Sequence, residues 1–242
     1  MKITIIGTGG IGGYYGGLLA RHGQEVTFIA RGEHLKAIQS NGLQIKSPHG
    51  DFTIQPAQAT DKIAAAGPTD LVLICTKTYS MQPILLELPA LVGPHTAVIS
   101  LQNGINAAEE IGAVVGKQHV VGGATWISAA VESPGVIRQV SQFRRVVIGE
   151  FSGEVTPRVK AIADAFAPTG VLFEISENIS KVLWTKFAFI ASVSGIGGLT
   201  RLPLGGFRQV PETRVMLTGL MREVESVARA EGTELDSDMV EK

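Results

Sequence analysis

Short apolar segments typical of strands alternate with helix-like segments over the first two thirds of the chain. The strand-like segments are Met1 to Ile6, Glu25 to Ala30, Asp70 to Thr76, Ala97 to Leu101, Val120 to Ala124, Arg145 to Gly149 and Gly170 to Ile175. A helix-like stretch from Ile11 to Arg21, ending at His22-Gly23, separates the first two of them. This alternation predicts a doubly wound, mainly parallel sheet.

Two regions depart from this alternation. The segment from Leu43 to Thr60 predicts a short hairpin around Pro48-His49-Gly50. From Gly135 to Glu150, a Pro-Gly turn and alternating residues predict antiparallel strands appended to the sheet.

After Ser176 the strand patterns stop. Asn178 to Ser192 carries Trp184 and Phe187 at helical spacing, and Arg214 to Glu231 repeats apolar residues with a period near 3.6. We therefore expect an all-helical second domain. A cleft between a sheet and such a domain is a usual place for a small substrate.

A glycine-rich turn follows the first strand without a break. It reads Gly7, Thr8, Gly9, Gly10, Ile11, Gly12, a G-x-G-x-x-G pattern between a strand and a helix. The first glycine permits the tight turn, the second lets the backbone approach a pyrophosphate, and the third lets the helix lie close to the strand. The sequence therefore predicts a Rossmann-type dinucleotide-binding domain over residues 1–176 and a helical domain over residues 177–242.

The end of the second strand indicates which dinucleotide binds. An NAD site usually has a carboxylate there for the ribose hydroxyl, but Arg31 follows Ala30 in this chain. A guanidinium suits a 2′-phosphate, whereas Glu33 is expected to start the next helix. NADP(H) is favoured over NAD(H), the alternative being that Arg31 is a solvated loop residue.

Composition fits an ordinary soluble enzyme rather than a nucleic-acid or membrane-surface binder. The 242 residues are 45% hydrophobic, with 21 basic and 22 acidic side chains and a net charge of −1. A single cysteine, Cys75, excludes an internal disulfide and offers no metal cluster. No apolar run is expected to approach the length of a membrane span, and the first segment is a strand rather than a signal peptide. We expect a cytoplasmic protein without a metal site.

Polar residues follow two of the central strands. Lys77 comes after the strand that ends near Thr76, and Asn103 comes after the strand that ends at Leu101. Because ligands of doubly wound sheets lie beyond the carboxyl ends of the strands, Lys77 and Asn103 should face the nucleotide. Taken singly, each also fits a surface or turn residue.

Five motifs occur in order along the chain: Gly7 to Gly12, Ala30-Arg31-Gly32, Thr76-Lys77, Gln102-Asn103-Gly104 and Leu183-Trp184-Thr185-Lys186-Phe187. Together they resemble the ketopantoate reductase (2-dehydropantoate 2-reductase) family over nearly the whole chain. The resemblance implies a C-terminal domain like that of 6-phosphogluconate dehydrogenase. It also implies an NADPH-dependent reduction of 2-dehydropantoate to pantoate, which supplies coenzyme A biosynthesis.

The resemblance further implies roles for individual residues. Arg31 and Lys77 would hold the adenosine phosphate end and nearby groups of NADPH. Asn103 would lie near the nicotinamide ribose and the substrate. Ala129, in the loop after the Val120 strand, would contact the cofactor through its backbone. Lys186 would be the general acid.

Reduction of a keto group explains why a lysine suits the last role. Negative charge builds on the carbonyl oxygen, and an ammonium group within hydrogen-bond reach stabilises that charge and then donates a proton. The alternative for Lys186 is a helix lysine that only reaches solvent, a role for which Lys181 is the better candidate.

The chain departs from the family pattern in two ways. Many members have substrate-binding asparagines four and eight residues after the lysine, where this chain has Ile190 and Ser194. Ile190 cannot donate a hydrogen bond, and Ser194 has a shorter reach. The chain also stops at Glu241-Lys242, within a helix-like segment without a stop signal, before the helices that carry further family contacts. Either the chain is shortened or those roles are absent.

Three hypotheses follow for the function. The first is an NADPH-dependent 2-keto acid reductase of the ketopantoate type. The second keeps the fold and cofactor but takes another small 2-keto acid, because Ile190 removes a polar contact. The third is a non-catalytic NADP(H)-binding protein. A homodimer is also expected if the apolar helix from Arg214 to Glu231 is covered by a second copy.

Overall fold

A computed structural model describes residues 1–240, and within them ten strands form one mixed sheet. The strands are β1 (Lys2–Ile6), β2 (Glu25–Ile29), β3 (Leu43–Lys46), β4 (Phe52–Ile54), β5 (Gln58–Thr60), β6 (Thr69–Ile74), β7 (Val92–Ser100), β8 (Val120–Ser133), β9 (Val136–Gly149) and β10 (Leu172–Ile175). The helices are α1 (Gly10–Arg21), α2 (Gly32–Asn41), α3 (Met81–Glu87), α4 (Ala107–Val115), α5 (Pro157–Phe166), α6 (Ile179–Thr200), α7 (Leu204–Phe207) and α8 (Pro211–Ala230).

Strand order in the sheet is β4-β3-β9-β8-β7-β6-β1-β2-β5, with β10 beside β9. All neighbours run parallel except β3 with β4 and β8 with β9. The chain leaves β1 toward β2 and later returns to β6 on the other side. The carboxyl end of β1 is therefore the topological switch point, where doubly wound sheets bind ligands. The predicted doubly wound sheet is confirmed.

Helices cover both faces of the sheet. On one face, Tyr15 and Leu19 of α1 and Phe166 of α5 join Ile3 and Ile5 of β1 in a continuous buried core. On the other face, residues of α3 and α4 cover alternate positions of β6 and β7, including Val72, Ile74 and Val98. The strands nearest the centre carry apolar residues on both sides, as expected for a parallel sheet with helices on each face.

The hairpin of β8 and β9 is longer than predicted. The strand expected at Val120 to Ala124 continues to Ser133, because its outer half pairs with β9 from Ala129 to Ser133. Ala129 is thus a strand residue, and its expected place in a loop is wrong. The small and polar residues of this exposed half carry no apolar alternation from which a strand could be predicted.

Two further strand predictions have mixed outcomes. The predicted hairpin around Pro48-His49-Gly50 is confirmed as β3 and β4. The predicted hairpin region, Leu43 to Thr60, also contains a third strand, β5, which the sequence pattern does not distinguish from the hairpin. It pairs instead with β2 at the opposite edge of the sheet.

After β10 the chain is helical, as predicted. The side chain of Asn178 accepts a hydrogen bond from the backbone N–H of Lys181 at 3.0 Å, so that Asn178 caps α6. A small cluster joins Ala188 of α6 to Ala228 of α8 and to Leu235 and Met239 beyond it. The division into domains at residue 176 stays a prediction. Residues 237–240 form a turn, and the helix expected at Glu241 and Lys242 lies outside the described residues.

Helix α6 has the length and composition of a membrane-spanning helix. It has 22 residues, its most apolar stretch has a mean hydropathy of 1.4, and 17% of that stretch is buried. The expectation that no apolar run approaches this length is therefore wrong on these two criteria. Helix α6 nevertheless contacts β8 and α8. Length and composition alone do not separate such a helix from one in the core of a soluble protein.

Candidate active site

The glycine turn between β1 and α1 has the geometry that its sequence predicts. Gly7 has a φ of 95°, which residues with a side chain rarely adopt. A Cβ on Gly9 would have no atom within 4 Å, so the backbone is open to a ligand there. A Cβ on Gly12 would lie 2.8 Å from Ile5 Cγ2 and 2.9 Å from Cys75 Cβ, so only glycine lets α1 approach the sheet this closely.

The start of α1 can receive an anion. No side chain of residues 1–240 caps its first turn, and that turn contains no acidic residue. The N–H groups and the positive end of the helix dipole are therefore available for a phosphate. Thr8 ties the turn to the end of β2. Its backbone N–H and its Oγ1 both donate to the carbonyl oxygen of Ile29, at 3.1 and 3.0 Å.

A cleft of about 320 Å³ extends from this turn along the ends of β1 and β2. It brings together four of the predicted cofactor residues, Gly7, Thr8, Gly9 and Arg31. Arg31 is exposed, and no acidic side chain of residues 1–240 pairs with it. Glu33 binds Lys36 on α2 at 2.8 Å instead, as expected for a residue of the helix.

His34 is a site residue that the sequence analysis missed. The backbone N–H of Gly135 donates to its Nδ1 at 3.0 Å, so Nε2 carries the proton and donates to the carbonyl oxygen of Thr8 at 2.8 Å. The ring therefore joins the glycine turn to the tip of the β8–β9 hairpin. A lone histidine in a helix gives no sequence signal for a bond to a residue about a hundred positions away.

The loops after β6 and β7 are joined by a hydrogen bond. The side-chain amide of Gln102 donates to Thr76 Oγ1 at 3.1 Å, and its oxygen accepts from Ser100 Oγ at 3.1 Å. Asn103 is exposed beside this link, in a second cleft of about 320 Å³ that also includes Phe187 of α6. Lys77 is exposed and, within residues 1–240, lies outside the lining of both clefts.

Lys186 is partly buried where α6 crosses β8. Its ammonium nitrogen lies 5.6 Å from the ring centroid of Trp126, and burial lowers its pKa to about 8. An ammonium group with a pKa near the working pH is a competent proton donor. Lys181, expected only to reach solvent, instead binds Asp236 at 2.6 Å.

Four other predicted residues have less direct placements. Ile190 is partly buried and Ser194 is exposed on α6, and within residues 1–240 neither lines the two clefts. The backbone of Ala129 lies against Gly10, because a Cβ on Gly10 would collide with the carbonyl group of Ala129. Ile11 is partly buried in the first turn of α1.

Two protein-family models cover most of the chain. Residues 3–153 match the model described as ketopantoate reductase PanE/ApbA, and residues 178–242 match the model of its C-terminal region. The chain belongs to the ketopantoate reductase family. The resemblance seen in the sequence motifs is thus confirmed, and the family makes the protein a pyridine-nucleotide-dependent oxidoreductase.

Individual relatives agree with this membership. The chain is 33% identical to the uncharacterized oxidoreductase YkpB of Bacillus subtilis, over 100% of this chain and 79% of that protein. It is 32% identical to a 2-dehydropantoate 2-reductase of Mesorhizobium japonicum, over 96% and 77%. The crystal structure of a 2-dehydropantoate 2-reductase from Porphyromonas gingivalis matches with a TM-score of 0.92 and 30% identity, over 100% and 86%. These similarities confirm the fold.

Proposed function

We propose that the protein is an NADPH-dependent 2-dehydropantoate 2-reductase, which forms (R)-pantoate for pantothenate and coenzyme A biosynthesis in the cytoplasm. Lys186 carries the proposal. It is a partly buried ammonium group with a pKa near 8, on the helix that contributes Phe187 to the cleft of Asn103. The family's relatives of about 30% identity include named 2-dehydropantoate 2-reductases, which supports the substrate.

The residues of the first cleft fit the proposed cofactor. The backbone of Gly7 to Gly12 would hold the pyrophosphate, since Gly9 is open and the first turn of α1 is uncapped. Arg31 would hold the 2′-phosphate. Lys77, Asn103 and the backbone of Ala129 would hold the remaining groups, with Asn103 nearest the reacting end.

The chemistry divides between the cofactor and the chain. When bound, NADPH supplies a hydride to the keto carbon. Lys186 stabilises the negative charge that develops on the carbonyl oxygen and transfers its proton to that oxygen. Asn103, Lys186, Ile190 and Ser194 would form the substrate side, with Asn103 orienting the acid by its amide.

Ile190 favours a second candidate, a reductase of another small 2-keto acid. In this position the apolar side chain would leave a substrate hydroxyl without a partner, at a cost of roughly 1–3 kcal/mol. A substrate with an alkyl group there, such as 2-ketoisovalerate, would avoid that cost. The partners proposed for either candidate are a small keto acid and, through the helical region, a second copy of the chain, with no nucleic acid or membrane.

An NADPH-oxidation assay with a panel of 2-keto acids tests both candidates. We expect the highest kcat/KM for 2-dehydropantoate, whereas a preference for 2-ketoisovalerate would select the second. Lys186→Met should lower kcat by about 10²–10⁴-fold with unchanged NADPH affinity. Lys181→Met is the matched control, and its kcat should stay near that of the wild type. NADPH binding without turnover of any keto acid would make the protein a non-catalytic binder.

A further inference from the structure

One face of the sheet carries a row of interacting side chains beneath Lys186. Trp126 of β8 is paired in register with Arg145 of β9, and the guanidinium carbon of Arg145 lies 4.7 Å from the centroid of the Trp126 ring. Arg145 also forms two parallel hydrogen bonds to Glu174 of β10, at 2.7 and 2.8 Å. The row joins three neighbouring strands, β8, β9 and β10, so the Arg145 side chain beside the indole ring is itself fixed by Glu174.

Glu174 compensates the charge of the guanidinium that lies near the ring. Hydrogen bonds from Arg145 hold the pKa of Glu174 below its usual range, so Glu174 is ionised at neutral pH and compensates the guanidinium. The second cation near the ring is the ammonium of Lys186, which forms no ion pair with a carboxylate of residues 1–240 and lies within the distance of about 6 Å at which an aromatic face attracts a cation.

We propose that Trp126 is a positioning residue for Lys186, whose ammonium group it holds over the sheet through a cation–π contact. This inference rests on the proposed function, in which Lys186 is the proton donor. The contact fixes the end of a flexible four-carbon side chain, which would otherwise lose rotamer freedom each time the acid is used. The contact also stabilises the charged form of Lys186 and so opposes the lowering of its pKa by burial.

The elements that pack around Lys186 carry ion pairs, while Arg144 of β9 and Glu212, Arg214, Arg222 and Glu223 of α8 take no part in these pairs. On the strands beneath it, Arg145 and Glu174 are paired. On α6 itself, Lys181 is bound to Asp236. On α8, which packs against α6, Arg229 is bound to Glu225 at 2.7 Å. Because all these charged groups are present in every variant, a change at Trp126 alters two influences on Lys186, the indole face and the degree of burial.

These two influences change the pKa of Lys186 in opposite directions, so the experiment compares variants that separate them. Loss of the aromatic face should lower the pKa of Lys186, since the charged form loses an attraction. Loss of shielding bulk alone should raise it toward 10.5, since water would reach the ammonium. Trp126→Leu removes the ring, and Trp126→Phe keeps an aromatic face of smaller area.

The direct readout is an NMR pH titration of lysine side chains labelled with ¹³C, in which the signal absent from Lys186→Met identifies Lys186. We expect Trp126→Leu to lower its pKa by about one unit and Trp126→Phe by less than half of that. In the reductase assay, Trp126→Leu should lower kcat, shift the alkaline loss of activity to lower pH and leave the KM for NADPH unchanged. Trp184→Leu, which removes the other indole, should leave both the titration and the rate profile unmoved.

Each result has one interpretation. Because Trp126→Leu and Trp126→Phe both lose bulk and only the second keeps an aromatic face, a Lys186 pKa that is not lower in Trp126→Leu than in Trp126→Phe overturns the cation–π contact. A lowered pKa with an unmoved rate profile overturns the positioning role, because Lys186 would then not be the acid. Near-normal kcat in Lys186→Met would show that Lys186 is not the proton donor, whereas NADPH binding by the wild type without turnover of any keto acid would contradict the proposed function itself, independently of the titration.

Discussion

Within residues 1–240, Arg31 at the end of β2 has no acidic partner, and Glu33 pairs with Lys36 on α2. If it binds the 2′-phosphate, Arg31→Ala should weaken NADPH binding by about 1.5–3 kcal/mol, the value of a hydrogen bond to a charged group. NADH binding should change little. Fluorescence titration of both cofactors measures this, with Lys36→Ala as the control cation. Equal losses for the two cofactors would refute the assignment.

The charged, partly buried ammonium of Lys186 is expected to lower the free energy of unfolding near neutral pH, where we propose that it acts as a proton donor. Its pKa is lowered from 10.5 to about 8 by burial, so below pH 8 it is charged in both the folded and the unfolded chain and the cost is fully present. Between pH 8 and 10.5 the unfolded chain binds the proton more tightly, so wild-type stability rises with pH.

Lys186→Met should therefore be more stable than the wild type at pH 7. The gain should be on the order of 1–3 kcal/mol, since the group is only partly buried and one pKa unit corresponds to 1.36 kcal/mol. The difference should shrink as the pH approaches 10.5. Urea denaturation at pH 7, 9 and 10.5 tests the sign, and a difference that grows with pH would contradict the burial argument.

Single residues were predictable where a local pattern fixed their geometry. Gly7, Gly9 and Gly12 have the three conformational roles that their spacing implies. His34, Gln102 and Trp126 were not predictable, because each acts through partners that the folding of the sheet brings near. Their side chains carry no signal in the sequence until strand order is known.

At the scale of elements, different glycines of the β1–α1 turn serve cofactor binding and folding. Gly9→Ala adds a methyl group to open space and should leave the free energy of unfolding within about 0.5 kcal/mol, while it hinders pyrophosphate approach and weakens NADPH binding. Gly12→Ala should destabilise the fold by about 1–3 kcal/mol, because Ile5 and Cys75 must move.

Thermal denaturation and NADPH titration of these two variants form a matched experiment, since each adds one methyl group to the same turn. A stable Gly12→Ala protein, or a Gly9→Ala protein with wild-type NADPH affinity, would contradict the roles inferred from the geometry.

Strands and helices also show where the hydrophobic pattern of the sequence fails to predict structure. The central strands are buried on both faces and were predicted from apolar runs. The outer half of β8 is held by backbone pairing with β9 rather than by buried side chains, so its sequence lacks the pattern of a strand. Helix α6 was predicted too short, because its glycines and serines interrupt the apolar spacing up to Thr200.

At the scale of the whole molecule, apolar burial is unequal. Two large clusters lie on the faces of the sheet, whereas in residues 1–240 the cluster that joins α6 to α8 and to the segment after α8 has four buried members, Ala188, Ala228, Leu235 and Met239. Apolar side chains of this helical region remain exposed, among them Phe189, Leu199, Leu202, Val215, Met216 and Val227. Local stability follows the amount of buried apolar contact.

Hydrogen exchange should therefore separate the two regions. We expect the amides of β1, β6 and β7 to exchange only through global unfolding, and those of α8 to exchange at least tenfold faster in dilute protein. If a second copy covers the exposed helical face, protection of α8 should rise with protein concentration, in step with the mass measured by sedimentation equilibrium. Protection of α8 that equals that of the sheet in a dilute monomer would show that the small helical core alone stabilises α8. The argument for a homodimer would then be refuted.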